Sequence, residues 1–203
     1  ARSKKNLLKV QKEITNHKGC STIIKADLTN PKEIDNIALK ITNPEKIEVI
    51  VNNAGIGIFN KLQDISLEEW DNQINTNLRS AFLITKTFIP HLINNKSGKI
   101  LFINSVAGLS PYPYASAYVA SKYGLRGFAS SLREELREDN IKVISIHPGA
   151  VNTPLWDKSG TEFPKEEMLS TSDVSNMIIQ TILSPNNLVC EEITLRRVKG
   201  DFN

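Results

Sequence analysis

Residues 99–122 read KILFINSVAGLSPYPYASAYVASK, and this stretch decides how the rest of the chain is interpreted. Its opening run of Ile, Leu and Phe lies between two glycines, which is typical of a fully buried strand. Ser105 then follows the carboxyl end of that strand, where open α/β sheets bind their ligands. Tyr118 and Lys122 close the stretch, and a helix that begins near Ala115 places both side chains on one face.

The spacing of Tyr118 and Lys122 indicates a particular acid–base chemistry. The pKa of free tyrosine is about 10, so tyrosine is a poor base at neutral pH. An ammonium group one helical turn away lowers that pKa, which suits proton exchange with an alcohol or a ketone. A Ser105 hydroxyl on the same oxygen completes a trio suited to carbonyl–alcohol interconversion, with a proton moving at oxygen and a hydride at carbon. Taken alone, the pair is also typical of a solvated helix surface.

Composition limits the class of protein. The 203 residues suit one domain, 1–203, with a sizeable core. The formal net charge of +3 is small and evenly spread, so we expect no nucleic-acid or membrane partner. Cys20 and Cys190 form neither a disulfide framework nor a metal-binding spacing. With no apolar span and no signal peptide in the sequence, cytoplasmic localisation is expected.

Segments typical of strands alternate with segments typical of helices. The strand-like runs begin at Ser21, Ile47, Lys99, Lys142 and Ile193. The helix-like runs cover Arg2–Lys18, Asn30–Ile41, a long segment after Ser66, Ala117–Glu138 and a segment capped by Ser172. This order predicts an α/β fold, a Rossmann-like three-layer αβα sandwich with a mostly parallel sheet.

Local signals predict where several helices begin and end. Asn30 with Glu33, and Ser66 with Glu69, are both predicted to form capping boxes. Pro90 and the turn before Gly98 are predicted to end the second of these helices.

Six short patterns occur in an order and spacing that resemble the short-chain dehydrogenase/reductase family over nearly the whole chain. They are Asp27-Leu28, Asn52-Asn53-Ala54-Gly55, Asn77, Ser105, Tyr118-x-x-x-Lys122 and Pro148-Gly149-x-Val151-x-Thr153. Several independent motifs in register make the resemblance specific, unlike any one of them alone.

The resemblance implies four catalytic residues. Tyr118 would be the general acid/base that exchanges a proton with the substrate oxygen. Lys122 would lower the pKa of the tyrosine and hold the nicotinamide ribose hydroxyls. Ser105 would hydrogen-bond the substrate oxygen, and Asn77 would place a water that links Lys122 to solvent.

The resemblance also implies a nicotinamide cofactor that carries the hydride, while the protein supplies orientation and charge. Asp27 would meet the adenine edge, with Leu28 beside it. The adenosine side would be lined by Asn53, Ala54 and Gly55, and the nicotinamide by Pro148, Gly149, Val151 and Thr153, with Thr153 near the carboxamide.

The resemblance implies that Arg2 lies where members of this family contact the adenosine ribose of the cofactor. A 2′-phosphate there is matched by a guanidinium fork, whereas an acidic residue would bind the 2′-hydroxyl of NAD. No acid accompanies Arg2 in the segment 1–3. NADP(H) is therefore favoured over NAD(H), the alternative being a solvated arginine at a helix start.

The sequence departs from the family at its beginning. The family opens with a strand, a glycine-rich turn, a helix and a second strand, about 30 residues that have no counterpart here. Gly55 and Gly57 are no substitute, because Asn60 stands where a third glycine would be needed. The strand at Ser21 would then lack a neighbour, and the strand at Ile47 would expose an apolar edge. The chain is therefore expected to be either a piece of an ordinary enzyme or a truncated, catalytically idle protein.

The predicted function is NADP(H)-dependent oxidation or reduction of a small-molecule alcohol or carbonyl compound, such as a 3-oxoacyl thioester or another ketone. The segment 153–171 lacks periodicity and is predicted to be a lid or binding loop. Its apolar residues, Leu155, Trp156, Phe163 and Met168, predict a partly apolar pocket.

Two other functions stay open at this point. A hydrolase with Ser105 as nucleophile and His147 as base lacks the G-x-S-x-G turn. A binding or scaffold protein on the same fold is the non-enzymatic alternative. The resemblance further implies a homodimer or homotetramer through the helices that hold Asn77 and Tyr118.

Overall fold

The computed structural model describes residues 1–158 and 164–202. Within these residues there are six α-helices and four β-strands. In chain order they are α1 (Lys4–Asn16), α2 (Pro31–Lys40), β1 (Val49–Asn52), α3 (Leu67–Ile74), α4 (Ser80–Asn95), β2 (Gly98–Ile103), α5 (Ser116–Glu135), β3 (Ile141–Pro148), α6 (Thr171–Ile182) and β4 (Glu192–Leu195). A π-helical turn, Asn75–Arg79, joins α3 to α4.

The four strands form one parallel sheet in the order β1-β2-β3-β4. At least one α-helix lies between each pair of consecutive strands, as parallel crossovers require. The predicted Rossmann-like α/β architecture is therefore confirmed. Among the described residues, no helix is long and apolar enough to cross a membrane.

Side-chain alternation along the strands places helices on both faces of the sheet. Ile100 and Phe102 of β2 belong to a buried cluster that also contains side chains of α4 and α5. Leu101, between them in sequence, packs on the opposite face with Ile178 and Ile182 of α6. Because successive strand residues point to opposite faces, this short run anchors the core on both sides and produces the three layers.

The strand predicted at Ser21 does not form. Residues 20–26 carry no strand pairing, and the Ala26 amide donates to the Ala1 carbonyl at 3.1 Å. A β-branched run becomes a strand only when a neighbour takes its amides and carbonyls, and no described strand lies beside it. β1 is consequently an edge strand, and Val51 is 45% exposed, as predicted.

The helix starts agree with the sequence in part. Ser66 and Glu69 form the predicted capping box, with both hydrogen bonds present. Asn30 instead caps the Lys32 amide, because the Glu33 carboxylate accepts from the Asp27 amide at 2.8 Å.

Two further helix boundaries differ from the predictions. Ser170, and not Ser172, caps α6 by accepting from the Asp173 amide. α4 continues through Pro90 to Asn95 and ends where Lys96 adopts a left-handed conformation with a φ of 48°.

Candidate active site

The site lies at the carboxyl edge of the sheet. β2 and β3 run parallel in register, so Ser105 and the end of β3 at Pro148 share this edge. α5 begins shortly afterwards and carries Tyr118, Ser121 and Lys122 in its first two turns. In this arrangement the Ser105 hydroxyl interacts with the Tyr118 phenol and lowers its pKa.

The ionisation of Tyr118 differs from the prediction. Burial raises the pKa of the Tyr118 phenol, while its hydrogen bond with Ser105 lowers that pKa. Burial is the larger effect, so the pKa lies above the ordinary value for tyrosine. Ser105 also accepts a hydrogen bond at Oγ from the Ala107 amide, 3.1 Å away, which orients its hydroxyl. The prediction that Lys122 lowers this pKa is therefore not met in this structure.

Lys122 is a buried cation beside the tyrosine ring. Its side chain is 4% exposed, and Nζ lies 5.7 Å from the centroid of the Tyr118 ring. Nζ donates a hydrogen bond to the Ile103 carbonyl at 3.1 Å. Burial lowers the pKa of Lys122 to about 8, because a low-dielectric surrounding disfavours the charged form. The ammonium lies over the ring and donates to the carbonyl, and burial of the phenol, rather than the ammonium, sets the direction of the shift in the pKa of Tyr118.

Asn77 sits at the centre of the π-helical turn and is 1% exposed. Its Oδ1 accepts from the Ile56 amide at 2.8 Å, and its Nδ2 donates to the Ile56 carbonyl at 2.9 Å. Nδ2 also donates to Ser121 Oγ at 2.9 Å. The side chain thus joins the loop after β1 to α5. Placement of a water by Asn77 stays a prediction.

Ser121 was not predicted, although it completes this junction. Its hydroxyl donates to the Tyr118 carbonyl at 2.7 Å while accepting from Asn77. A serine inside a helix has no sequence signal for such a role, because its partner lies 44 residues away.

The loop after β1 leaves room beside these groups. A Cβ placed on Gly55 would lie 3.5 Å from Asn77 Oδ1 and 3.8 Å from Lys122 Nζ. A side chain at position 55 would therefore fill the space in front of the ammonium. The hydroxyls of a nicotinamide ribose fit this space, since the ammonium has three donors and one goes to the Ile103 carbonyl.

The residues predicted to line the nicotinamide follow the end of β3. Pro148 is buried, and the Gly149 amide donates to the Leu195 carbonyl at 2.7 Å. Val151 forms an isolated parallel bridge with Leu169, and Thr153 is half-buried.

The residues predicted for the adenosine side form a separate group. Arg2 NH1 lies 3.8 Å from Asp27 Oδ2, with an arginine side chain that is 74% exposed. Hydrogen bonds from the Thr29 amide and hydroxyl lower the pKa of Asp27. Leu28 is half-buried, whereas Asn53 and Ala54 are exposed. No described hydrogen bond or ion pair joins Arg2 or Asp27 to the four residues predicted to be catalytic.

An aromatic wall, which sequence reasoning missed in part, covers the tyrosine. The ring of Phe59 meets the Tyr118 ring edge-on at 5.3 Å between centroids and stacks on Trp156 at 5.8 Å. Trp156 Nε1 donates to the Val151 carbonyl at 2.9 Å. Phe163, predicted for the same pocket, lies outside the described residues.

The geometry of His147 opposes the hydrolase interpretation. Its Nδ1 lies 3.2 Å from the backbone carbonyl oxygen of Ser105. A general base for a serine nucleophile would instead accept from the hydroxyl.

Comparison with known proteins relates the chain to a family. A family model described as short chain dehydrogenase matches residues 1–163. The sepiapterin reductase of Chlorobaculum tepidum is 33% identical over 203 residues, which span 100% of this chain and 83% of the relative.

Solved structures agree. A metagenomic short-chain oxidoreductase in complex with NADP is 30% identical with a TM-score of 0.81, covering 98% of this chain and 83% of that chain. An alcohol dehydrogenase from the archaeon Thermococcus sibiricus, complexed with 5-hydroxy-NADP, shares the fold at 24% identity with a TM-score of 0.88, covering 100% and 86%. With a family model that matches most of its length and a relative that is 33% identical across the whole chain, the chain belongs to the short-chain dehydrogenase/reductase family of oxidoreductases.

Proposed function

We propose that the chain is an NADP(H)-dependent oxidoreductase that interconverts a carbonyl and a secondary alcohol, with Tyr118 as general acid/base. The observation that carries this proposal is the interaction of Ser105 with the Tyr118 phenol at the carboxyl edge of the sheet, where Ser105 lowers the pKa of the phenol. Two hydroxyls that converge there can hold one substrate oxygen between them. The buried Lys122 ammonium lies beside the same phenol.

The ionisation states favour reduction near neutral pH. Because burial raises the pKa of Tyr118, the phenol is protonated and can donate its proton to the oxygen of a ketone. Lys122, with a pKa of about 8, is mostly charged at pH 7. Its ammonium would stabilise the tyrosinate that forms when the proton leaves. The nicotinamide, when bound, supplies the hydride to the carbonyl carbon.

The residues that would hold the cofactor follow the family pattern. Lys122 would bind the ribose hydroxyls through the space in front of Gly55. Pro148, Gly149, Val151 and Thr153 would line the nicotinamide, and Asp27, Leu28, Asn53 and Ala54 the adenosine. Arg2 would meet a 2′-phosphate; its exposed guanidinium and a relative solved with NADP support NADP(H) over NAD(H).

The substrate would be a ketone or alcohol with a flat or apolar substituent. The wall of Phe59 and Trp156 beside Tyr118 offers ring faces and edges to such a group. Similarity to a protein named sepiapterin reductase supports a flat substituent. Reduction of 3-oxoacyl thioesters is the second substrate class to test. A homodimer or homotetramer through α4 and α5 is part of the proposal, supported by the exposed rings of Phe82 and Tyr123 on these helices.

The test is NADPH oxidation over a panel of aryl ketones, alkyl ketones and 3-oxoacyl thioesters. Tyr118→Phe should lower the rate by about 10²–10⁴-fold, because it removes the general acid. Tyr123→Phe, which changes an exposed hydroxyl on the same helix, is the matched control and should keep the rate. Retained activity in Tyr118→Phe would contradict the assigned role.

A second measurement separates the enzyme from an idle or scaffold chain, which the unpaired stretch around Ser21 favours. NADPH should raise the melting temperature of both the wild type and Tyr118→Phe, since ligand that binds only the folded state stabilises it. No rise in either protein, together with no turnover, would favour the scaffold.

A further inference from the structure

A buried histidine stands directly behind the catalytic serine. His147 lies near the end of β3 and is 0% exposed. Its Nδ1 is 3.2 Å from the Ser105 carbonyl oxygen. A carbonyl oxygen can only accept, so Nδ1 carries the proton and donates it. The tautomer of the imidazole is therefore fixed by the backbone of the residue that meets Tyr118.

The other edge of the imidazole faces a carboxylate that is already paired. His147 Nε2 lies 4.0 Å from Glu192 Oε1 in β4 and has no hydrogen-bond partner among the described residues. Arg126 holds that carboxylate with two hydrogen bonds, 3.0 Å from Nε and 2.9 Å from Nη2. Burial lowers the pKa of His147, so the ring is neutral near pH 7 and remains a single-proton donor.

These contacts connect four elements around the site. Ser105 follows β2, His147 belongs to β3 and Glu192 to β4, while Arg126 lies one helical turn beyond Lys122 on α5. The Arg126–Glu192 pair thus fixes the helix that carries Tyr118 against β4. The Glu192 carboxylate also faces the His147 ring, which contacts Ser105. The distance between the segment that carries the Ser105 hydroxyl and the helix that carries the Tyr118 hydroxyl therefore depends on these side chains.

We propose that His147 is a positioning residue that holds Ser105 in contact with Tyr118, with Glu192 and Arg126 keeping the imidazole and α5 in place. His147 acts through the Ser105 backbone, because its Nδ1 meets the Ser105 carbonyl oxygen, whereas the Ser105 hydroxyl accepts from the Ala107 amide and influences the pKa of Tyr118. The effect of His147 on the reaction rate rests on the proposed function, whereas its effect on the titration of Tyr118 does not.

The first test is a spectrophotometric titration of Tyr118, isolated by subtracting the curve of a matching Tyr118→Phe variant. Ser105→Ala removes a hydrogen bond that lowers the pKa of Tyr118, so the titration should move to higher pH. His147→Phe, which fills the space but cannot donate, should move it in the same direction. His147→Asn, whose amide can donate, should return it toward the wild type. An unmoved titration in a folded His147→Phe protein would overturn the proposal.

Glu192→Gln tests the same arrangement if the His147 variants fail to fold. It keeps the size of the side chain and weakens the pair with Arg126, so we expect a smaller shift of the Tyr118 titration in the same direction. The arrangement would be contradicted if the Tyr118 titration stayed unchanged in Glu192→Gln and did not differ between His147→Asn and His147→Phe, with all variants melting at the same temperature.

The second test is a double-mutant cycle on any ketone that the wild type reduces. His147→Phe should lower kcat roughly ten- to a hundredfold, as expected for a misplaced catalytic group, with the Kd for NADPH unchanged. In a Ser105→Ala background the same substitution should cause no further loss. Additive losses would overturn the proposal. If the wild type reduces no ketone, the proposed function fails, and the titration still decides the role of His147.

Discussion

The segment 98–148, here called the catalytic region, and the segment 1–48, here called the amino-terminal region, are built very differently. In the catalytic region Ile100, Leu101 and Phe102 are 0% exposed, and the sheet is covered on both faces. In the amino-terminal region α1 has no buried residue, and the stretch around Ser21 is extended without strand partners. The two regions carry the two halves of the predicted site.

The difference separates the residues proposed for the chemistry from Arg2 and Asp27, which are proposed for cofactor recognition. Ser105, Tyr118 and Lys122 are held by packing and hydrogen bonds to the catalytic region, to Asn77 and to β4. Arg2 and Asp27 are held by a few polar contacts near the surface. We therefore expect changes in the amino-terminal region to alter binding of the adenosine half while leaving the fold and the Ser–Tyr pair intact.

The largest expected effect breaks the catalytic region itself. Phe102→Ala removes a fully buried ring that packs edge-on against Phe128, with centroids 5.5 Å apart. It should lower the free energy of unfolding by about 3–5 kcal/mol, measured by urea titration. The matched control is Leu8→Ala on α1, where the leucine is 47% exposed. Its cost should stay within about 0.5 kcal/mol; similar costs at both positions would remove the contrast between the regions.

A pH-dependent effect at Lys122 comes next. Burial lowers its pKa from 10.5 to about 8, so between these values the unfolded chain binds a proton that the folded chain has released. The free energy of unfolding should therefore rise with pH across this window, by up to about 3 kcal/mol.

Lys122→Met provides the comparison, because methionine carries no proton. The stability of the wild type relative to Lys122→Met should increase from pH 8 to pH 10.5, measured by urea unfolding at each pH. A constant difference between the two proteins would show that Lys122 is solvated in the folded state.

The smallest expected effect is a loss of NADPH affinity caused by a substitution in the amino-terminal region. Arg2→Ala should weaken NADPH binding about tenfold, since it removes a cation from the proposed 2′-phosphate contact. NADH binding and the urea midpoint should not change, because the side chain is 74% exposed. Arg2→Lys keeps the charge but lacks the guanidinium fork, so its affinity for NADPH, measured by fluorescence titration, should lie between those of the wild type and Arg2→Ala. Equal losses for NADPH and NADH would contradict a phosphate contact.

Local patterns predicted much of what the structure contains. The run at Lys99 became a strand whose central residues, Ile100, Leu101 and Phe102, are buried, and Ser66 with Glu69 formed its capping box. Tyr118 and Lys122 lie on the same helix with the ring and the ammonium in contact. Each of these features depends on residues within a few positions of one another, so the sequence carries the whole signal.

Features that depend on distant partners were wrong or missed. The run at Ser21 has β-branched residues but no neighbour, and the pKa of Tyr118 follows its burial more than its nearby lysine. The support of the site by Ser121 and His147 rests on partners 44 and 42 residues away. Ser121 belongs to no spacing pattern, and sequence reasoning considered His147 only as the base of a hydrolase, so neither supporting contact was predicted.

The sequence by itself therefore determined the parallel sheet, the alternation of helices and strands from β1 onward, and the residues that we propose to be catalytic. Tertiary structure alone decided which runs become strands, which groups are desolvated and what stands behind Ser105. The physical reason is range: helix periodicity and capping act over a few residues, whereas strand pairing, burial and the pKa values that follow from it depend on surfaces that meet only in the folded chain.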